Sequence, residues 1–278
     1  MTDNTVTCPI CNKAEGQLWG VEYKGHRIVK CPTCGLRFAD PQIIRAEEVY
    51  QDEYFADKAE RMFDPERLLL VLKSDLDSFH NIARVMGKNL TAESSVLDIG
   101  TGRGSFLIAL KLLGLHNILG TDITTSNVDY LKSFAIEVKL GELKDLNLGR
   151  YDIITFHHVL EHLNNPGTFL TQVKSLLNDN GVGHLLIPNE GSLNSRFKSF
   201  LSKHKLKKRA FKHLAPGHHL WFYEQSTIVR LLEKYGFKID YLGTRATEKK
   251  RGIASRMVHH LEDKLLINSW LEVVFSKK

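Results

Sequence analysis

The sequence predicts an α/β protein: a seven-stranded sheet covered by helices, with a small metal-bound module ahead of it. Three observations carry this. From Ser95 onward, short aliphatic runs alternate with helical patterns, as in sheets covered on both faces. The first of these runs enters a helix through Gly100, Gly102 and Gly104. All four cysteines lie in the first 34 residues, in two Cys-x-x-Cys pairs.

The glycine segment organises the chain. Ser95 to Ile99 reads as a strand carrying one acid, Asp98, and Ser105 to Leu113 reads as a helix. Glycine has no Cβ, so the backbone between them can turn sharply and approach a nucleotide-sized ligand. The spacing departs from the dinucleotide fingerprint Gly-x-Gly-x-x-Gly: the third glycine comes one residue early, and Ser105 stands where that pattern has Gly. Asp98, two residues before the first glycine, suits a cationic or amine-bearing ligand. Asp122 closes the next strand, 117–121, where an acid binds the hydroxyls of a ribose.

Val96-Leu-Asp-Ile-Gly-Thr-Gly-Arg-Gly104 resembles motif I of the class I S-adenosylmethionine (SAM)-dependent methyltransferases. Gly120-Thr-Asp-Ile123 resembles their second motif, and the stretch from Tyr151 to Leu163 resembles the strand-four segment of their small-molecule and glycan branch. The likeness covers roughly residues 90 to 278. It implies a Rossmann-like sheet, mostly parallel, with the last strand antiparallel. It also implies SAM as cofactor, with S-adenosylhomocysteine as product. Carried over by position, Asp98, Gly100, Thr101, Gly102, Gly104, Asp122, Ile123, Glu142, Leu143 and His157 would bind it. Thr101 is a departure, since the family often has Cys there. Glu142 would meet the adenine amine, though an exposed turn carboxylate fits it nearly as well.

Composition sets bounds. With 278 residues, 42% of them apolar, the chain can bury a large core plus a small domain. It has no run of about 18 apolar residues, and its polar start carries no secretory pattern, which predicts a cytoplasmic protein. The net charge of +6 is compatible with anionic partners such as phosphate-bearing acceptors, RNA or lipid headgroups.

Cys8-Pro-Ile-Cys11 and Cys31-Pro-Thr-Cys34, nineteen residues apart, match a four-thiolate zinc ribbon. Disulfides fit poorly without a secretory signal. Iron in a rubredoxin-like site is the alternative metal. So short a module builds little core, so zinc would supply most of its folding energy. The predicted organisation is a ribbon over 1–40, a helical linker or cover over 41–93, and the methyltransferase domain over 94–278, with an insertion at about 188–220.

Residues 42–62, with Tyr50, Tyr54 and Phe55, read either as short helices over the cofactor mouth or as a plain linker. Asp64-Pro65 opens a helix whose apolar face is Leu68, Leu69, Leu72, Leu76, Phe79, Ile82, Ala83 and Met86, stopped by Gly87. Helices are then predicted over 124–134, 168–177, 224–235 and 253–267, and strands over 135–140, 151–156, 182–187, 237–244 and 270–275. Asn178 to Gly181 reads as a turn.

Methyl transfer needs an acceptor held in line and often a base to take its proton. Histidine suits that role near neutral pH. Two segments supply histidines: His157-His158, followed by Glu161-His162, and Gly217-His218-His219-Leu220-Trp221. The second resembles a His-Glu-His-Leu stretch of sugar methyltransferases, but with His218 at the glutamate position. His158, His219 and His218 are the catalytic candidates, His158 and His219 foremost. By resemblance His157 lies beside the methionine part of SAM, and Glu161-His162 holds the loop. The segment after strand four, Phe156-His-His-Val159, lacks the Asn/Asp-Pro-Pro-Tyr/Phe of enzymes that methylate DNA amines.

The expected activity is methyl transfer to a small-molecule or sugar/glycan acceptor, most readily at oxygen. Sugar carbon methyltransferases of this group usually carry a further C-terminal domain, and none is expected after Lys278. Two alternatives stand beside it. One is an RNA methyltransferase gripping RNA with the ribbon and the basic run Lys203 to Lys212. The other is a non-catalytic SAM-binding module.

Overall fold

The computed structural model describes residues 7–13, 16–40, 65–246 and 267–278, with the side chains of 65–70 left out. The predicted cover over 42–62 and the helix over 253–267 lie outside the described residues.

In chain order the elements are β1 (Gln17–Val21), β2 (Arg27–Lys30), β3 (Arg37–Asp40), α1 (Pro65–Met86), β4 (Val96–Ile99), α2 (Ser105–Leu112), β5 (Ile118–Asp122), α3 (Val128–Ser133), β6 (Glu137–Leu140), β7 (Tyr151–His157), α4 (Pro166–Leu176), β8 (Leu177–Pro188), α5 (Leu193–Lys203), β9 (Trp221–Phe222), α6 (Gln225–Lys234), β10 (Phe237–Arg245) and β11 (Trp270–Lys277).

Seven strands form one sheet in the order β10-β11-β8-β7-β4-β5-β6. β8, β7, β4, β5 and β6 run parallel, and β11 is antiparallel to both of its neighbours. This is the predicted fold. Strand order reverses between β4 and β7, and the crevice outside the carboxyl ends of the strands at such a point is where open α/β sheets take ligands.

The sheet alternates its side chains between two layers. Leu97, Ile99, Ile154, Phe156, Leu185, Ile187, Val273 and Phe275 pack one face, together with α4 and α6. Val96, Ile153, Val182 and Val274 pack the other, under Ile82 and Met86 of α1 and Phe106, Leu107 and Leu110 of α2. Towards the carboxyl edge that second layer turns polar, with Asp98, Thr155, His184 and Glu272 all buried. α1 follows suit. Asp75 and Ser78 are buried there, while Leu76, assigned to the apolar face from sequence, is 42% exposed.

Other boundaries move for local reasons. The helix expected from residue 124 starts at Val128, because Asp122 holds Thr124 by both its N–H and its hydroxyl. Ala135, expected as strand, has φ +52, and β6 begins at Glu137. The turn expected at 178–181 is part of β8, where Asn178 donates to Asp152 at 2.7 Å.

The cysteine module is sewn onto the large domain. β1, β2 and β3 form an antiparallel sheet whose fourth strand is β9, with Phe38 opposite Trp221. Cys8, Val29, Cys31, Leu36 and Phe38 join the same core cluster as Leu160 and Trp221. Arg37, nearly buried, donates to the Glu190 carbonyl and pairs with Glu224 at 2.6 Å. A ribbon too small for its own core has borrowed one.

Candidate functional site

At the end of β4, Gly100, Gly102 and Gly104 all have positive φ, at +70, +53 and +68. Only glycine takes such angles without strain. A Cβ on Gly100 would lie 2.5 Å from Val159 Cγ2, and one on Gly104 2.2 Å from Leu131 Cδ2. At Gly102 nothing comes nearer than 3.9 Å. The bend is therefore packed at both ends and open in the middle, where a ligand would lie.

Two carboxylates flank it. Asp122 Oδ2 accepts the Gly102 amide at 2.7 Å, and Oδ1 accepts from Thr124. Asp98 is 4% exposed and accepts the Thr155 hydroxyl at 2.5 Å. Burial, with the Asp75 and Asp122 charges, pushes its carboxyl up to about 7 despite that hydrogen bond. A cation arriving beside it would favour the ionised form.

Other predicted cofactor contacts fall out unevenly. Ile123 is 51% exposed beside Asp122, an apolar face open to a ligand. Thr101 turns its hydroxyl onto the Asp98 carbonyl at 2.9 Å, donates its amide to the Thr121 carbonyl and accepts the Gly104 amide, so it shapes the bend rather than offering a free polar group. Leu143 packs against the core. Glu142 forms an exposed ion pair with Lys144 at 2.9 Å, the turn-carboxylate arrangement.

His157 ends β7 and is bound into a relay that sequence reading missed. Its Nε2 lies 2.7 Å from His184 Nδ1, and His184 Nε2 lies 2.9 Å from Glu272 Oε1. Arg245 grips Glu272 with two hydrogen bonds, at 2.8 and 2.6 Å, and reaches Ser74 of α1. Glu272 can only accept from His184 Nε2–H, so a neutral His184 presents Nδ1 as acceptor to His157 Nε2–H. Burial, with the His184, His158 and Arg245 charges, pushes His157 well below the usual histidine range and keeps it neutral.

The two histidine segments meet. His158 has φ +55, an uncommon angle for a histidine, and its Nδ1 lies 3.4 Å from Glu161 Oε1. His162 Nδ1 donates to the His218 carbonyl at 2.8 Å, turning its Nε2 to within 3.8 Å of Glu161 Oε1. The rings of His162 and His219 are 4.8 Å apart. His218 itself is exposed, and its carbonyl serves the cluster. Glu161 is 1% exposed, with Oε2 lacking a hydrogen-bond partner. Burial pushes its carboxyl up, but the His158 hydrogen bond and the histidine charges outweigh this and hold it low. Burial pushes His219 down to about 4. Val159, inside this loop, packs over Gly100, so the cluster abuts the ligand bend. Glu161, His162 and His219 offer three ligand atoms within 4.8 Å, enough to hold a divalent cation.

The four cysteine sulfurs also lie within 4.8 Å of one another, and all are free thiols. Tetrahedral zinc at about 2.3 Å from each sulfur sets them about 3.8 Å apart. The amides of Ile10 and Cys11 hydrogen-bond Cys8, and those of Thr33 and Cys34 hydrogen-bond Cys31, as thiolates in metal knuckles require. Burial pushes the Cys31 thiol up, yet these hydrogen bonds bring it down to about 7.

A glycine bend at a strand-order reversal, flanked by a buried acid and a strand-end acid, defines a nucleoside-binding α/β enzyme. The chain belongs to the methyltransferase domain family, whose profile matches residues 72–242. It is 27% identical over 185 residues to a ubiquinone biosynthesis O-methyltransferase of Nitrobacter winogradskyi, covering 63% of this chain and 68% of that one. It is 30% identical over 115 residues to a ribosomal protein L11 methyltransferase of Clostridium perfringens, covering 39% and 36%. In fold it is similar to magnesium protoporphyrin IX methyltransferase of Synechocystis, solved with S-adenosylhomocysteine bound, with a TM-score of 0.56 at 18% identity, covering 84% of this chain and 98% of that one. The protein is a SAM-dependent methyltransferase. The open bend at Gly102 and the cation-seeking Asp98 fit that cofactor.

Proposed function

We propose that this enzyme methylates an oxygen of a small-molecule or sugar/glycan acceptor, with His158 as the base. The observation that carries this is Glu161, a buried carboxylate ringed by His158, His162 and His219 beside the glycine bend. Glu161 holds a proton on His158 Nδ1, which leaves Nε2 free to take the acceptor's hydroxyl proton. His162, held by the His218 carbonyl, and neutral His219 wall the acceptor side and orient Glu161. SAM supplies an electrophilic methyl carbon on a sulfonium. With SAM bound, Asp98 would face its positive charge, Asp122 its ribose hydroxyls and Ile123 its adenine. The amides of Gly100 to Gly104 line the bend, and His157, kept neutral, adds no competing charge near the methionine part. A base so placed contributes about 10²–10⁴ in rate. Cys8, Cys11, Cys31 and Cys34 hold a structural zinc, since four thiols leave no open position for chemistry.

The test is incubation with methyl-labelled SAM and fractionated extract, with and without ribonuclease or protease. Label in a nuclease- and protease-resistant small-molecule or glycan fraction supports the reading. Label lost with ribonuclease replaces it with RNA methylation, and label lost with protease replaces it with protein methylation.

A further inference from the structure

The helix α5 is inside out. Its small polar residues face the protein: Ser195, Ser199 and Ser202 are at most 8% exposed. All three are tied inward. Ser195 donates to Glu190, Ser199 meets His213 Nε2 at 3.0 Å, and Ser202 accepts the Phe211 amide at 3.0 Å. These bonds fix the rotation of the helix. Its apolar stripe therefore points outward: Leu193 is 53% exposed, Phe197 62% and Phe200 55%, followed by Leu206 at 68%.

Charge marks the same surface. Residues 191–223 contain eight lysines and arginines and no acid. The whole chain carries +6, so the remainder of the protein is net negative by two. The basic excess is concentrated around this one apolar stripe. Lys198, Lys205, Lys207, Lys208 and Arg209 flank or follow it.

From this juxtaposition we propose that α5 and the 204–209 turn dock on an anionic lipid bilayer. Phenylalanine and leucine enter the headgroup–acyl boundary, and the cations around them meet lipid phosphates. A nucleic-acid groove is disfavoured, because bases could stack on Phe197 and Phe200 but would leave Leu193 and Leu206 in water, whereas a bilayer buries all four. The consequence concerns access. α5 starts five residues after β8, whose Leu186 lies opposite His157 and accepts the His158 amide. The docked face thus borders the sheet edge that carries the histidines, and it would present that edge to acceptors held at a membrane surface.

The test is flotation of the full chain with phosphatidylcholine vesicles containing 0 or about 50% phosphatidylglycerol, at low and high salt. The expected result is at least about tenfold more protein on the anionic vesicles, falling as salt rises. Phe197→Ser with Phe200→Ser, both on exposed positions, should lose this binding with an unchanged melting temperature. As a second readout in an intact fold, Phe200→Trp should be quenched by brominated lipid. Equal binding to neutral vesicles overturns the proposal, as does full binding by the serine variant or absence of quenching. RNA retention without vesicle binding, or a dimer dissolved by the serine variant, also overturns it, assigning the face to RNA or to a second copy.

Discussion

Thr155 donates its hydroxyl to Asp98 across neighbouring strands at 2.5 Å, and even so burial pushes the Asp98 carboxyl up from 3.8 to about 7. The folded chain therefore holds more protons than the unfolded chain between those values. Ligand-free stability should fall as pH rises through that window. Asp98→Asn keeps an acceptor for Thr155 and should flatten the dependence in thermal melts. A cationic cofactor needs the ionised form, so affinity of the unmodified enzyme should weaken below pH 7, approaching about tenfold per pH unit. Asp98→Asn should bind SAM at least about tenfold more weakly near pH 8.5, with the gap closing towards pH 5.5, where Asp98 is itself protonated. Calorimetric titration from pH 5.5 to 8.5 measures both, and a flat profile contradicts the assignment.

The glycines separate folding from binding. Gly104→Ala meets Leu131 and should destabilise the protein outright. Gly102→Ala meets nothing within 3.9 Å and costs only the left-handed conformation, about 1–2 kcal/mol. It should fold and lose cofactor affinity. Melting and titration of the two variants side by side make the comparison.

Asp122→Ala should weaken SAM binding, since this carboxylate fixes Gly102 and Thr124 and is the proposed partner of the ribose. His158→Ala should leave SAM binding intact and lower turnover about 10²-fold or more. His219→Ala should also bind normally and turn over more slowly, by less. Exchanged effects would mean that the pocket is divided wrongly.

Glu272→Ala leaves the largely buried Arg245 without its carboxylate and frees His184. It should cost about 3–5 kcal/mol. Replacing the pair together, Glu272→Leu with Arg245→Met, should recover much of that loss in denaturant titrations. If the single and double variants unfold alike, the relay contributes little.

The purified chain should contain one zinc, measured by elemental analysis, with no iron chromophore. Chelation or Cys34→Ser should lower the melting temperature, and returning zinc should restore it only to the unmodified chain.

Much of this was legible in sequence because it rests on local rules. The Gly100–Gly104 bend, the cysteine knuckles and the seven strands each declare themselves within a dozen residues. The relay does not. Its partners are 27 and 88 residues apart, and each sits alone in an apolar strand. One signal was present: a histidine in Gly-His-Leu-Leu-Ile and a glutamate in Leu-Glu-Val-Val-Phe are costly burials that ask for partners. α5 misleads for the opposite reason, since an apolar stripe ordinarily faces the core. Glu161-His162, read as a loop support, gained its neighbours only when His219 folded over it.

β9 is two residues long, yet it joins two chemistries. His219 precedes it by two positions, and across the sheet its Trp221 faces Phe38, two residues beyond Leu36 of the cysteine core. Slackening the thiolate knot would unlatch that seam and let the acceptor wall drift while the main sheet still stood. Metal-starved enzyme should accordingly fall silent at temperatures where it still looks folded, and a metal held by the four cysteines would act as a distant tensioner of catalysis.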